Sequence, residues 1–258
     1  MEFVSRLIML VSLFINHTRL NWPNRNKIFV FLANGYNRAD AIVVLVLQRA
    51  KYAKRCYAVV DHAFAQCFGD RNEILHESSQ EYWEKMLSEF YSQSKINPND
   101  ICYIEGNGTG IKEHDAAELN AINSIFCRNR KEPLLVGSVK CNIGHTESSA
   151  ALSGIVKAII SLENGLIPRN IHFDTPNEES QGLCSGKIKI VDKNTPIPPN
   201  GLVAVNCHGM GGVYGHVVLR ANPKKKVYEY DGIPRLVLLS ERTDEFMEDL
   251  INKVSLAK

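Results

Sequence analysis

Short continuous apolar runs alternate along the chain with longer stretches of helical period, the pattern of buried strands and the helices that cover them. The runs Ala41 to Leu47, Cys56 to Val60, Ile101 to Ile104, Leu134 to Gly137, Ile188 to Val191, Leu202 to Asn206 and His216 to Leu219 predict strands. Three helices are predicted between them. The first opens on Ser78-Ser79-Gln80-Glu81, read as a capping box, and carries Tyr82, Met86, Leu87 and Phe90 on one face. The second runs from about Glu113 to Phe126, with Leu119, Ile122 and Phe126 as its stripe. The third, Ser148 to Glu163, holds Leu152, Ile155, Val156, Ile159, Ile160 and Leu162 and is stopped by Asn164-Gly165. Apolar positions cover most of its circumference, which predicts an interior helix.

Composition narrows the classes. The chain has 258 residues, 45% of them apolar, so disorder is excluded for most of it. A near balance of 30 basic and 28 acidic side chains argues against a dedicated nucleic-acid surface. Seven cysteines without a C-x-x-C pair suit a reducing, cytoplasmic setting rather than a disulfide scaffold or a zinc site. Cys141 with His145, and Cys207 beside His208, are the nearest approach to ligand pairs, and they read as scattered side chains, so no metal is expected. Leu7 to Ile15 is apolar but too short to span a bilayer as a helix, and no small-residue cleavage site follows it, so no membrane span is expected. From Ala221 the composition shifts. Asn222-Pro223-Lys224-Lys225-Lys226 reads as a linker, a strand restarts at Ile233-Pro234-Arg235-Leu236, and Thr243 to Val254 reads as helical.

Three glycine-bearing segments follow strands. Glu105-Gly106-Asn107-Gly108-Thr109-Gly110 has its third glycine one position early for a dinucleotide fingerprint, so a tight turn with positive φ is the stronger reading. Gly137-Ser138-Val139-Lys140-Cys141-Asn142-Ile143-Gly144-His145 sets a lysine and a histidine on the entry to the third helix. A histidine there is expected to stay neutral and donate one hydrogen bond. The third segment, Asn206-Cys207-His208-Gly209-Met210-Gly211-Gly212, allows either a hairpin with bulges or a close approach to a ligand, with adjacent amides able to form an oxyanion hole.

In this order the segments resemble the C-terminal half of a β-ketoacyl synthase, the ketosynthase region of an animal-type fatty acid synthase, where they read E-A-H-G-T-G-T, S-V-K-S-N-x-G-H and N-S-F-G-F-G-G. The likeness runs from about Asn34-Gly35-Tyr36 through Arg220 and includes Leu166-Ile167-Pro168, His172-Phe173 and Thr175-Pro176. It implies an α/β, thiolase-like layered fold that is incomplete, holding the second half and the tail of the first. Residues 1–26 would be an atypical apolar segment, 27–220 the ketosynthase portion and 221–258 the start of the following linker. The implied chemistry is decarboxylative Claisen condensation of acyl and malonyl groups carried on phosphopantetheine of an acyl carrier protein, with no bound cofactor. Lys140 and His145 stand where the family has a supporting lysine and its second catalytic histidine, and Thr109 where a threonine lines the pantetheine path. Met210 replaces the gating phenylalanine, and Gly211 follows it at the substrate-binding turn.

The departures matter as much. Asn107 occupies the place of the first catalytic histidine, and an amide donates a hydrogen bond but cannot exchange a proton. Nothing before Asn34 is a cysteine, so the D-T-A-C-S nucleophile is absent, and Cys141 and Cys207, in loops facing the site, do not open a helix as that nucleophile does. The chain is therefore expected to lack condensing activity alone, or to be a non-catalytic pseudo-ketosynthase that binds carrier protein or other synthase domains. Half of a layered fold also leaves an apolar face bare, which predicts association, including dimerisation.

Overall fold

The computed structural model describes residues 7–8, 11–16, 28–30, 35, 37–53, 56–69, 78–209, 211–222, 243–245, 247–248 and 251–252. Two compact units divide at Pro223 and Lys224. In the first, the strands are β1 (Leu7–Ile8), β2 (Val11–Asn16), β3 (Asp40–Leu45), β4 (Gln48–Arg49), β5 (Ala58–Cys67), β6 (Ile101–Glu105), β7 (Leu134–Gly137), β8 (Leu166–Ile167), β9 (Ile188–Ile190), β10 (Thr195–Pro196), β11 (Leu202–Gly209) and β12 (Val213–Ala221). The helices are α1 (Gln80–Ser94), α2 (Lys112–Phe126), α3 (Lys140–Ile143), α4 (Ala150–Asn164) and α5 (Gln181–Cys184). In the second unit, described residues 244–245, 247–248 and 251–252 are helical, within the predicted span, whereas the strand predicted from Ile233 lies outside the described residues.

All seven predicted strands and all three predicted helices are present, but the eight-stranded sheet, ordered β4-β1-β5-β12-β11-β6-β7-β9, is mixed rather than wholly parallel. Strands β11, β6, β7 and β9 run parallel, while β11–β12, β12–β5, β5–β1 and β1–β4 are antiparallel. The third glycine segment thus resolves as a hairpin, pairing Leu202 with Arg220 through Gly209 with Val213. Strand β5 runs to Cys67, past the predicted end at Val60, because His62, Ala63, Ala65 and Gln66 give little strand signal by themselves and are recruited by β12 alongside.

Helices α1 and α2 cover one face of the sheet. Trp83, Met86, Leu87 and Phe90 of α1 and Leu119, Ile122 and Phe126 of α2 pack with Ile101, Ile104, Val136 and Ala204 in one core. The capping box at α1 does not form: Ser78 Oγ accepts the Trp83 Nε1–H at 2.9 Å, and the Ser79 amide donates to Tyr214 Oη, so the helix start is docked on the sheet instead.

Helix α4 covers the other face, where Ala158, Ile159 and Leu162 meet Tyr103, Val203 and Val205. The interior expectation holds on one side only. Ser153, Gly154, Lys157 and Ser161 are buried together with Val156, Ala158, Ile159 and Leu162, whereas Ile160 is 48% exposed and Ile155 half-buried. Beside α4 an apolar groove of about 310 Å³ runs over Ala63, Ala65, Val205, Cys207 and Gly215. Ile42 (68% exposed) and Val44 (54%) of β3 are bare as well, so an open apolar surface of the expected kind is present. Among the described residues no helix is long and apolar enough to cross a membrane.

Candidate functional site

Strands β6, β7 and β11 are mutually aligned through parallel pairs, so the segments leaving their C-terminal ends emerge at one edge of the sheet, where α/β proteins place ligands. The β6–α2 turn is shaped by Gly108 and Gly110, both at positive φ (46° and 74°). A Cβ on Gly108 would also lie 2.5 Å from Ile28 Cγ2, so no other residue fits there. Two buried carboxylates of α2 grip this turn. Glu118 accepts the amides of Asn107 (2.8 Å) and Gly108 (2.9 Å), and Asp115 accepts those of Thr109 (2.7 Å), Gly110 (3.2 Å) and Phe29 (2.9 Å). Four successive N–H groups are thereby consumed by carboxylates, which leaves none for a phosphate and removes the dinucleotide reading.

Burial pushes Asp115 up to about 7, against the pull of its amide donors from Phe29 and Thr109. An unfolded chain releases this proton near pH 4, so the native state binds the extra proton between about pH 4 and 7. The contribution is fully present below pH 4 and is lost as pH rises through 7, at up to about 1.4 kcal/mol per pH unit. Urea unfolding across that range is expected to show this downward slope, and Asp115→Asn to remove it.

Asn107 and Lys140 meet inside. Lys140, 4% exposed, donates from Nζ to the Asn107 carbonyl and, at 3.1 Å, to Asn107 Oδ1, which also accepts the His208 amide at 3.3 Å. Both partners of Oδ1 are donors, so the amide orientation is fixed and Nδ2 is the end left to donate. Burial lowers the Lys140 pKa, while Glu118, Glu105 and Asp115 favour its charge. A second buried pair lies beneath: Lys157 Nζ is 2.9 Å from Glu105 Oε2, Tyr103 Oη donates to that oxygen at 2.5 Å, and Glu105 Oε1 accepts the Val139 amide at the head of the Lys140 segment.

His145 is half-buried and pinned by its backbone, which accepts from the Ala39 amide and donates to the Asn37 carbonyl, both at 2.8 Å. Its Nδ1 accepts the Glu147 amide at 2.9 Å, so the ring hydrogen sits on Nε2. Glu147 reaches back by adopting φ 48°, a left-handed conformation uncommon for a residue with a side chain. Burial, then Lys140, then Arg38 depress His145 to about 3, so it is a neutral donor, as the sequence predicts. Lys140 thus joins the two candidates: it bonds Asn107 and acts electrostatically on His145.

The remaining expected residues divide. The Thr109 hydroxyl donates to Asp115 Oδ1 (3.2 Å) and accepts the Ile111 amide (3.1 Å), so it is spent within the turn. Gly211 is exposed at the hairpin tip, and Met210 lies outside the described residues. Cys207 lies on β11 and Cys141 in the first turn of α3, not in loops, because the hairpin and the α3 turn extend over them. Neither is a thiolate. Cys141 is 4% exposed, has Ser138 O (2.8 Å) and Asn170 Oδ1 (2.9 Å) as acceptors within reach of its one S–H, and is pushed by burial up to about 12, while burial also raises Cys207. Among the described residues no three His, Cys, Asp or Glu side chains form a metal site. Sequence reading missed Asp115 and Glu118, although two acids spaced on the same stripe as Leu119 and Ile122 are a usable signal.

Comparison with known proteins gives the arrangement its relatives. Residues 57–174 match the model of the beta-ketoacyl synthase C-terminal domain, and residues 176–258 that of the ketoacyl-synthetase C-terminal extension. A highly reducing polyketide synthase of Aspergillus terreus is 34% identical over 195 residues, 72% of this chain and 7% of that protein. A fatty acid synthase of Anser anser anser is 36% identical over 140 residues, 54% of this chain and 40% of that one. The ketosynthase from module 6 of the bacillaene synthase of Bacillus subtilis superimposes with a TM-score of 0.74 at 23% identity, covering 86% of this chain and 42% of its own. The chain therefore spans less than half the length of these relatives.

Proposed function

Since the chain carries the C-terminal domain of a β-ketoacyl synthase, in a thiolase-like fold, we propose that its site is the enolate-stabilising part of a decarboxylative Claisen centre. A malonyl thioester held at the sheet edge loses carbon dioxide when the bond between its carboxylate and α-carbon breaks. The electron pair moves onto the thioester carbonyl, whose oxygen accepts hydrogen bonds from Asn107 Nδ2 and His145 Nε2. Both donors are uncharged and partly shielded from water, where such bonds are strongest. Water then protonates the α-carbon and an acetyl thioester leaves.

The observation that carries the reading is the junction of Asn107 and Lys140 beside a His145 locked as a neutral Nε2–H donor. Carbon–carbon bond formation is not assigned to this chain, because its site cysteines are held as thiols and cannot carry the acyl group. Substrates are read as thioesters on the phosphopantetheine arm of an acyl carrier protein. The animal fatty acid synthase setting is supported by 36% identity over 140 residues, and a highly reducing polyketide synthase setting by 34% over a longer 231. We favour the polyketide setting on that greater coverage.

The test is release of carbon dioxide from malonyl-pantetheine or malonyl carrier protein by the full chain. Turnover above the buffer rate supports the reading. No turnover at any protein concentration supports instead a non-catalytic binding module, which Asn107 favours because it cannot shuttle a proton.

A further inference from the structure

Behind the site, side chains with no part in the proposed chemistry are joined end to end. Tyr91 Oη of α1 lies 2.9 Å from His216 Nε2 on β12, His216 Nδ1 lies 2.6 Å from Asn206 Oδ1 on β11, and Asn206 Nδ2 lies 2.8 Å from Glu118 Oε1. None is more than 8% exposed. Phe90 stands edge-on to the imidazole, ring centres 4.5 Å apart at 88°, and confines it.

The chemistry of each link dictates the next. Glu118 already accepts the Asn107 and Gly108 amides, so Asn206 turns its NH₂ toward the carboxylate and its oxygen toward His216. That oxygen needs a donor, which puts the imidazole hydrogen on Nδ1. Nε2 is then bare and accepts the Tyr91 hydroxyl. Were Asn206 reversed, two acceptor oxygens would face each other at 2.8 Å, and Glu118 would have to take up a proton.

We propose that His216 is a positioning residue, which holds Asn206 in one amide orientation and so keeps Glu118 a carboxylate gripping the turn that presents Asn107. The proposal rests on the enolate reading only for its effect on rate, and the tautomer and the charge of Glu118 stand apart from it.

Nitrogen NMR of the full chain labelled in histidine is expected to show His216 hydrogen-bearing at Nδ1 and bare at Nε2. A hydrogen on Nε2 overturns the proposal without any variant. His216→Phe keeps an aromatic ring, though a larger one, and removes the donor. It is expected to raise a protonated-carboxyl infrared band, assigned by its loss in Glu118→Gln, and to shift the Asn107 and Gly108 amide resonances. His216→Asn, whose amide can donate to Asn206, is expected to restore both. A folded His216→Phe protein with neither change overturns the proposal. With malonyl thioester, His216→Phe is expected to lower kcat about tenfold at unchanged KM. Wild-type protein without turnover would sink the enolate reading alone, while the tautomer and the infrared band still decide the role of His216.

Discussion

Lys140→Met is expected to remove about 3–5 kcal/mol of folding stability, read from the urea midpoint. The cause is the charge left behind. Glu118 is 2% exposed and Lys140 4%: burial raises the pKa of the carboxyl, whose hydrogen bonds come from amides, and lowers that of the lysine, and the attraction between the two opposes both shifts. Without Lys140 the carboxylate takes up a proton or stays uncompensated, and in either state its hold on the Asn107–Gly108 amides weakens. Asn107 Oδ1 also loses a donor. The double variant Lys140→Met/Glu118→Gln is expected to recover a large part of the loss, because both charges then go together. A single-variant loss under about 1 kcal/mol, or no recovery in the double variant, would show that the two groups do not depend on one another.

His145→Ala is expected to lower the decarboxylation rate by about 10²–10³-fold, the usual consequence of deleting one donor to a developing oxyanion. Binding of the thioester should change little, so the loss belongs in kcat. The pH dependence carries a second signature. A ring depressed to about 3 stays neutral and keeps its Nε2–H at every higher pH, so His145 imposes no acid limb on the rate above about pH 4. A loss of activity centred near pH 6.5, an ordinary histidine value, would show that the ring is not desolvated as described.

How far sequence alone reaches differs between frame and site. Short apolar runs located β6, β7 and β11 because strands buried on both faces must be continuously apolar. Helix α2 followed from its stripe, and the stop of α4 from Gly165, which sits at φ 63°. Which side of α4 meets the sheet was not legible. Beside Ala158, Ile159 and Leu162, its buried side includes Ser153, Gly154 and Lys157, because a Cβ at Gly154 would already lie 3.3 Å from Glu105 and Val205 and because Lys157 answers Glu105. Close approach and charge pairing decided that face, and neither has a periodicity. Asn107, Lys140 and His145 were legible as motif positions, and a neutral His145 was expected from its place before a helix, whereas burial, Lys140 and Arg38 are what hold it neutral. Of the groups that orient them, Asp115 and Glu118 act on a turn close by in the chain and left a signal in their spacing that went unread, whereas the links from Tyr91 to His216 and from Asn206 to Glu118 join partners 125 and 88 residues apart and have none.

The two bonds from His145 to Asn37 and Ala39 set an order of assembly. Strands β6 and β7 with α2 between them close on near neighbours, whereas the imidazole is seated only when the ends of a very long intervening stretch have met. Such an encounter is entropically slow, so refolding is expected to complete the frame of β6, α2 and β7 before His145 is seated.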